Sequence, residues 1–218
     1  MTGSTALWAV RLGLVVVGLV GWFWTQRLIA RRAWPERGIG DAMHLWTAAL
    51  NRSLRAHPAT ANALLIATSA VIDGLGLFLL ASAIFGPTIR PFLGLLIVYV
   101  LRQVSQGLCS LPQPDGMIWR RPGFPSLLVT YGTAGDLFFS GHTAIAVYGC
   151  VELVRLGGPV LPALGMAIAI VEALTVLVLR AHYTMDVLAA IVAALWAADV
   201  ASAAAPAVDR ALAALVGG

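Results

Sequence analysis

Two of the four histidines of this chain stand where acid–base or nucleophilic chemistry is possible. His142 closes the stretch Gly135-Asp136-Leu137-Phe138-Phe139-Ser140-Gly141-His142-Thr143, and His182 opens His182-Tyr183-Thr184-Met185-Asp186. On a helix His182 and Asp186, four residues apart, share one face about 6 Å apart in rise. A carboxylate there can accept the Nδ1 proton, fix the tautomer and leave Nε2 as a nucleophile towards phosphorus. Ser140 and Gly141 precede a helical stretch, where free backbone N–H groups and the positive helix end suit phosphate oxygens. His142 then stands where it can protonate a leaving oxygen and later deprotonate an acceptor hydroxyl. Such a scheme requires no metal and no cofactor, because helix N–H donors and arginines carry the charge. A lone histidine in an apolar stretch is more often a satisfied packing residue, and a His-three-Asp pair also arises by chance. Near hydrocarbon, however, ionisable side chains carry a high energetic cost and are functional candidates by default.

The elements that must position these groups are set by composition. Of 218 residues, 60% are hydrophobic and 11% charged, and the mean hydropathy is +0.88. A soluble domain carries about 25% charged residues, so lipid is the expected solvent. Six stretches, about 6–26, 60–85, 91–110, 138–156, 159–180 and 186–205, approach or exceed the roughly 20 residues that a helix needs to cross a bilayer. An open sheet cannot satisfy its backbone there. The expected fold is therefore all-α, a polytopic membrane bundle of six transmembrane helices in one domain over 1–218. Short connections around Gly86-Pro87 and Gly157-Gly158-Pro159 make the flanking helices antiparallel neighbours. With six antiparallel spans, the starts of the second, fourth and sixth share a face, which brings His142 and His182 to one depth.

Two links are more than filler. From 41 to 57 an interfacial amphipathic helix is expected, with Asp41 as N-cap and Pro58 ending it. Met43, Trp46, Leu50 and Leu54 fall on one face, to lie in the acyl region, with Arg52 and Arg55 near head groups. The link from 111 to 137, rich in proline and glycine, is too irregular for lipid contact. Its place just before Ser140 favours a functional loop over a disordered one.

All fourteen basic residues are arginine, and the net charge is +4. Their clustering at membrane edges argues against nucleic acid as a partner and for an anionic substrate or a membrane surface. Arg102, Arg120, Arg121 and Arg180 are the candidates for binding phosphate, with Arg102 the favoured clamp. Asp136 either orients His142, binds a head-group amine or caps the fourth helix, and Tyr183 either lines the pocket or anchors at the interface. Asp73, Glu152 and Glu172 are read as structural, and His44 and His57 receive no role. The face carrying the histidines has nine arginines (27, 31, 32, 37, 52, 55, 120, 121, 180) against four opposite (11, 90, 155, 210). The positive-inside rule places that face in the cytoplasm, of a bacterial plasma membrane in this reading. Cys109 and Cys150 are not expected to form a disulfide.

Gly-Asp-three-Ser-Gly-His-Thr followed by His-Tyr-Thr-x-Asp resembles the sphingomyelin synthase family, a branch of the type 2 phosphatidic acid phosphatase superfamily. The plant phosphatidylcholine:diacylglycerol cholinephosphotransferases look related too. Tyr99-Val100-Leu101-Arg102 and Leu111-Pro112-Gln113-Pro114 add to a likeness covering about 60–205. The resemblance implies His182 as nucleophile, Asp186 as its partner and His142 as acid–base group, and it would put the site on the exoplasmic or luminal side. Ala134 stands where the animal synthases have cysteine, and Val176 where the superfamily has arginine. The superfamily's Lys-six-Arg-Pro element is missing, with Arg120-Arg121-Pro122 a loose substitute. The implied activity moves a phospho-head group from a phospholipid donor to a lipid hydroxyl such as ceramide or diacylglycerol, through a phosphohistidine. Alternatives are a lipid phosphate phosphatase or phospholipase-C-like hydrolase, and a non-catalytic lipid-binding or scrambling protein. The expected partners are membrane phospholipid and lipid alcohol, with a homo-oligomer left open.

Overall fold

The computed structural model describes residues 38–129, 131 and 137–216, together with Val20, Trp24 and Arg27. The chain divides into two units, Met1–Gly40 and Asp41–Gly218. Apart from Val20 and Trp24, the expected span 6–26 lies outside the described residues, as does Asp136.

The second unit is all-helical in its described residues. Its helices are α1 (Ala42–Trp46), α2 (Ala48–Ala56), α3 (Pro58–Phe85), α4 (Arg90–Leu108), α5 (Gly141–Leu156), α6 (Val160–Val178) and α7 (Thr184–Val216). Four of them, α3, α4, α6 and α7, are long and apolar enough to cross a membrane. At 16 residues, α5 rises only about 24 Å, short of a hydrocarbon core of about 30 Å. It sits at the centre instead, packed on α6, α7, α3 and α4. The expected six spans thus resolve, among the described residues, into four long apolar helices around a short central one.

Packing is close because small residues face inward. Along α7, Ala190, Ala194, Ala197, Ala198, Ala201 and Ala205 are all buried, a helical stripe that lets the backbones of neighbours approach. Tyr148 of α5 fits against α4 because residue 94 is glycine: a Cβ there would lie 2.1 Å from the tyrosine ring. The last helix runs well past the expected end at 205, passing Pro206 without stopping. Proline lacks the N–H that would bond the preceding turn, and at this site the helix continues regardless.

The expected interfacial helix 41–57 is two helices, α1 and α2, broken at Thr47. Thr47 Oγ1 and Thr47 N both donate to the Met43 carbonyl, at 2.7 and 2.9 Å, and side-chain bonds of this kind bend helices. The break also splits the expected apolar stripe. Met43 and Leu54 pack on the bundle, whereas Trp46 and Leu50 are exposed with Leu45. The buried residues of α1 and α2 are polar, His44 and Asn51. Asn51 Nδ2 donates to the carbonyls of Gly116 and Val178 at 3.1 and 2.9 Å.

The 111–129 segment folds over the histidine end of the bundle. Ile118 N donates to Leu179 O at 2.8 Å. Asp73 of α3 accepts from Leu127 N and Leu128 N, both at 2.8 Å, so its expected structural role is fastening this loop. Cys109 and Cys150 are free thiols.

Candidate active site

Two hydrogen bonds bring the histidine motifs together. His182 Nδ1 donates to the Leu137 carbonyl at 2.7 Å, and Ser140 N donates to the Asp186 carbonyl at 3.2 Å. The first also fixes chemistry: a carbonyl can only accept, so Nδ1 carries the proton and Nε2 is the basic nitrogen. That is the tautomer expected from sequence, reached through a different partner. Asp186 Oδ2 lies 3.6 Å from Nδ1, beyond hydrogen-bond length, and instead accepts from Tyr183 N at 2.8 Å. The carboxylate is wholly buried, and its Oδ1 has no hydrogen-bond partner among the described residues.

His142, in the first turn of α5, is 5% exposed, as is His182. Both line one cavity of about 610 Å³. The cavity's wall along α4 runs from Phe92, Leu95 and Leu96 to Tyr99, Arg102, Gln103 and Gln106, a distance of about 20 Å along the axis. Ile72 of α3, Leu128 and Val129 of the loop and Ile145 of α5 complete an apolar length, while Arg102, Gly141, His142 and His182 make a polar end. Trp119 closes that end, its ring edge-on to His142 with centroids 5.2 Å apart. His142 Nε2 is buried and has no hydrogen-bond partner among the described residues.

The other sequence candidates separate clearly. Arg102 lines the cavity, and its Nε donates to Phe139 O at 3.1 Å. Glycine at 141 permits this approach, because a Cβ there would be 3.2 Å from that Nε. Ser140 is buried as the N-cap of α5, its Oγ accepting from Thr143 N at 3.3 Å and Thr143 Oγ1 at 3.0 Å, so its hydroxyl serves the helix. Arg120 is exposed and bonds Asn62 Oδ1 at 2.9 Å; Arg121 is exposed; neither lines the cavity. Arg180 is committed to backbone: it donates to the carbonyls of Asp115 and His44. Tyr183 is buried, its hydroxyl donating to Pro112 O at 3.1 Å, and it lies outside the cavity lining. Among the described residues no group of three or more His, Cys, Asp or Glu is disposed to hold a metal ion.

Several residues of this region were not singled out by sequence. Trp119, Gln103 and Gln106 line the cavity, and His44 bonds the backbone of His182. Gln103 and Gln106 sit within one turn of Arg102, and that spacing is a signal a sequence reading can use. Trp119 and His44 come from loop and interface, and nothing local marks them. Asp41 was foreseen as the cap of α1, and it does accept from Met43 N and His44 N at 2.9 and 3.2 Å. It also accepts from Thr184 N and Oγ1 at 2.6 and 2.7 Å, capping α7 as well. Burial works to raise the Asp41 carboxyl, but the bonds from Thr184 and His44 outweigh it and hold it below the usual carboxylate value.

No curated protein and no solved structure matches the chain. The family model described as AtPDCT1/2, that of the phosphatidylcholine:diacylglycerol cholinephosphotransferases, matches residues 40–203, from the cap of α1 to the later turns of α7. The match spans well over half of the chain and every residue of the cavity described above, and the protein belongs to that family.

Proposed function

We propose that the protein is a membrane lipid phosphotransferase that moves a phosphocholine-type head group from a phospholipid to a lipid hydroxyl of the diacylglycerol or ceramide kind. The observation that carries this reading is the single cavity with two imidazoles and a guanidinium at one end and an apolar wall of helical length behind them. An amphiphile with a phosphate at its head matches that division, and a soluble phosphate ester does not use the apolar part.

In the first half-reaction His182 Nε2 attacks phosphorus, an N–P bond forms and the P–O bond to the lipid alcohol breaks. His142 supplies the proton to the departing oxygen. Arg102 lies against the α5 start, where Ser140 and Gly141 open the helix, and so faces the phosphate oxygens together with the helix end. In the second half the acceptor hydroxyl gives its proton to His142, attacks phosphorus and releases His182. The buried Asp186 carboxylate, 3.6 Å from His182 Nδ1, stabilises the positive charge that the imidazole gains as the N–P bond forms.

The test is purified protein in vesicles of labelled phosphatidylcholine, with and without diacylglycerol. Transfer of label to the added acceptor supports the proposal. Release of phosphocholine or free phosphate irrespective of acceptor shows a hydrolase, and lipid movement that survives loss of both histidines shows a non-catalytic protein. The arginine bias supports a cytoplasmic position for the site. Cys109 is exposed at the end of α4 beside the site, so a membrane-impermeant thiol reagent should label it only in opened cells; labelling in sealed cells reverses the orientation.

A further inference from the structure

The turn that carries His182 is gripped from outside the bundle by α1. Arg180, two residues before His182, has φ +53°, a left-handed conformation that is unfavourable for a residue with a Cβ. Such a conformation persists only where its surroundings impose it. It is set first by the close of α6, where Arg180 N donates to Leu177 O at 3.1 Å and Ala181 N to Val176 O at 2.9 Å, and the first residues of α1 hold the turn that follows. His44 Nε2 lies 2.9 Å from the His182 carbonyl, which can only accept, so Nε2 is the donor. The His44 carbonyl accepts from Arg180 Nη2 at 3.2 Å. The His44 ring lies against Tyr183, centroids 5.4 Å apart, and Asp41 accepts from both the N–H and the hydroxyl of Thr184. Residues 180, 182, 183 and 184 are thus each tied to Asp41 or His44.

The residue that α1 buries against the bundle is polar. Here Leu45 and Trp46 are 74% and 77% exposed, while the imidazole of His44 is buried against the turn. His44 does not line the cavity, so it meets the reacting groups only through the main chain of His182.

We propose that His44 is a positioning residue for His182, fixing the backbone of the α6–α7 turn so that the imidazole stays at the phosphate end of the cavity. This rests on the reading of His182 as nucleophile. The experiment measures kcat and KM for head-group transfer by the full chain in phosphatidylcholine vesicles with diacylglycerol, alongside the melting temperature. His44→Ala should lower kcat about tenfold, with KM within about twofold, the change expected when about 1.4 kcal/mol of transition-state positioning is lost. His44→Gln, whose amide N–H can reach the same carbonyl, should recover most of that loss. Leu45→Ala, on the outward side of the same helix, should leave kcat unchanged. Wild-type kcat in His44→Ala, a loss as deep in Gln as in Ala, or a change in KM alone would overturn the proposal. Should His44→Ala not fold, Thr184→Val removes only the hydroxyl bond to Asp41. A severalfold lower kcat at an unchanged melting temperature then supports the strap, and a normal kcat overturns it. His182→Ala, run in parallel, separates the two ideas, because turnover by that variant removes the nucleophile itself from the scheme.

Discussion

The two ends of the bundle handle buried polar groups in opposite ways. At the end away from the histidines, Glu152 is buried and fully answered: Arg90 Nη2 and Arg155 Nη1 reach its two carboxylate oxygens at 2.9 and 2.8 Å. Arg155 goes on to Ser202 Oγ, Tyr148 donates to the Arg90 carbonyl, and Asp209 accepts from Thr88 and from Ile89 N. At the histidine end, His142 Nε2 and Asp186 Oδ1 are buried without a hydrogen-bond partner among the described residues. Buried polar atoms in a folded protein are nearly always paired. A closed network therefore reads as structure, and an open one beside a cavity reads as a place kept for a ligand. Glu172, deeper in the bundle, belongs with the first kind, bonded to Thr68.

This contrast can be broken by experiment. The largest effect is expected from His182→Ala, which should reduce transfer at least about 10³-fold while the melting temperature stays near wild type, since no nucleophile remains. Turnover above a tenth of wild type would remove the distinction between the two ends. His142→Ala should cost about 10²-fold or more in kcat, the usual worth of a general acid–base group; an acceptor of lower pKa should restore part of the second half-reaction. Arg102→Ala should cost about 10- to 100-fold, with Lys a poor substitute because an ammonium lacks the rigid planar fork that matches two phosphate oxygens. Equal losses for Arg120→Ala would show that the cavity does not define the site. The smallest effect on turnover belongs to the closed end. Glu152→Ala should leave kcat within about twofold but cost about 2 kcal/mol of stability, reduced from the fully buried value because both arginines are partly exposed. A thermal melt paired with an initial-rate assay reads both quantities.

Much of the site was legible in the sequence because its chemistry sits in two short motifs. His142 beside Ser140-Gly141 and His182 four before Asp186 are local patterns, and the bonds from Ser140 N to Asp186 O and from His182 Nδ1 to Leu137 O bring both to one end of the bundle. The partner of His182 Nδ1 was not legible. Leu137 O is a backbone group 45 residues away in sequence, and no side-chain pattern announces a carbonyl. Arg180 misled for a related reason: beside a motif histidine it looks like a phosphate ligand, yet its own positive φ and the nearby carbonyls of His44 and Asp115 engage it. The apolar stripe of 41–57 is divided, with Met43 and Leu54 on the bundle and Trp46 and Leu50 exposed. Thr47 breaks the helix, and the bundle offers carbonyls that reward His44 and Asn51 over Trp46 and Leu50.

Composition and periodicity alone determined that this chain is helical and seeks lipid, and the spacing of its histidines pointed to two side chains that meet at one cavity. Both are local properties: burying apolar length favours helix wherever water is absent, and imidazole chemistry travels with the residue. Which arginine stands at the cavity, which atom holds the His182 tautomer and what grips its turn were decided only by the tertiary structure. Those outcomes depend on carbonyls and guanidinium groups whose meeting is set by how the helices and the loop over them pack, a matter of distance in space that residue order does not encode.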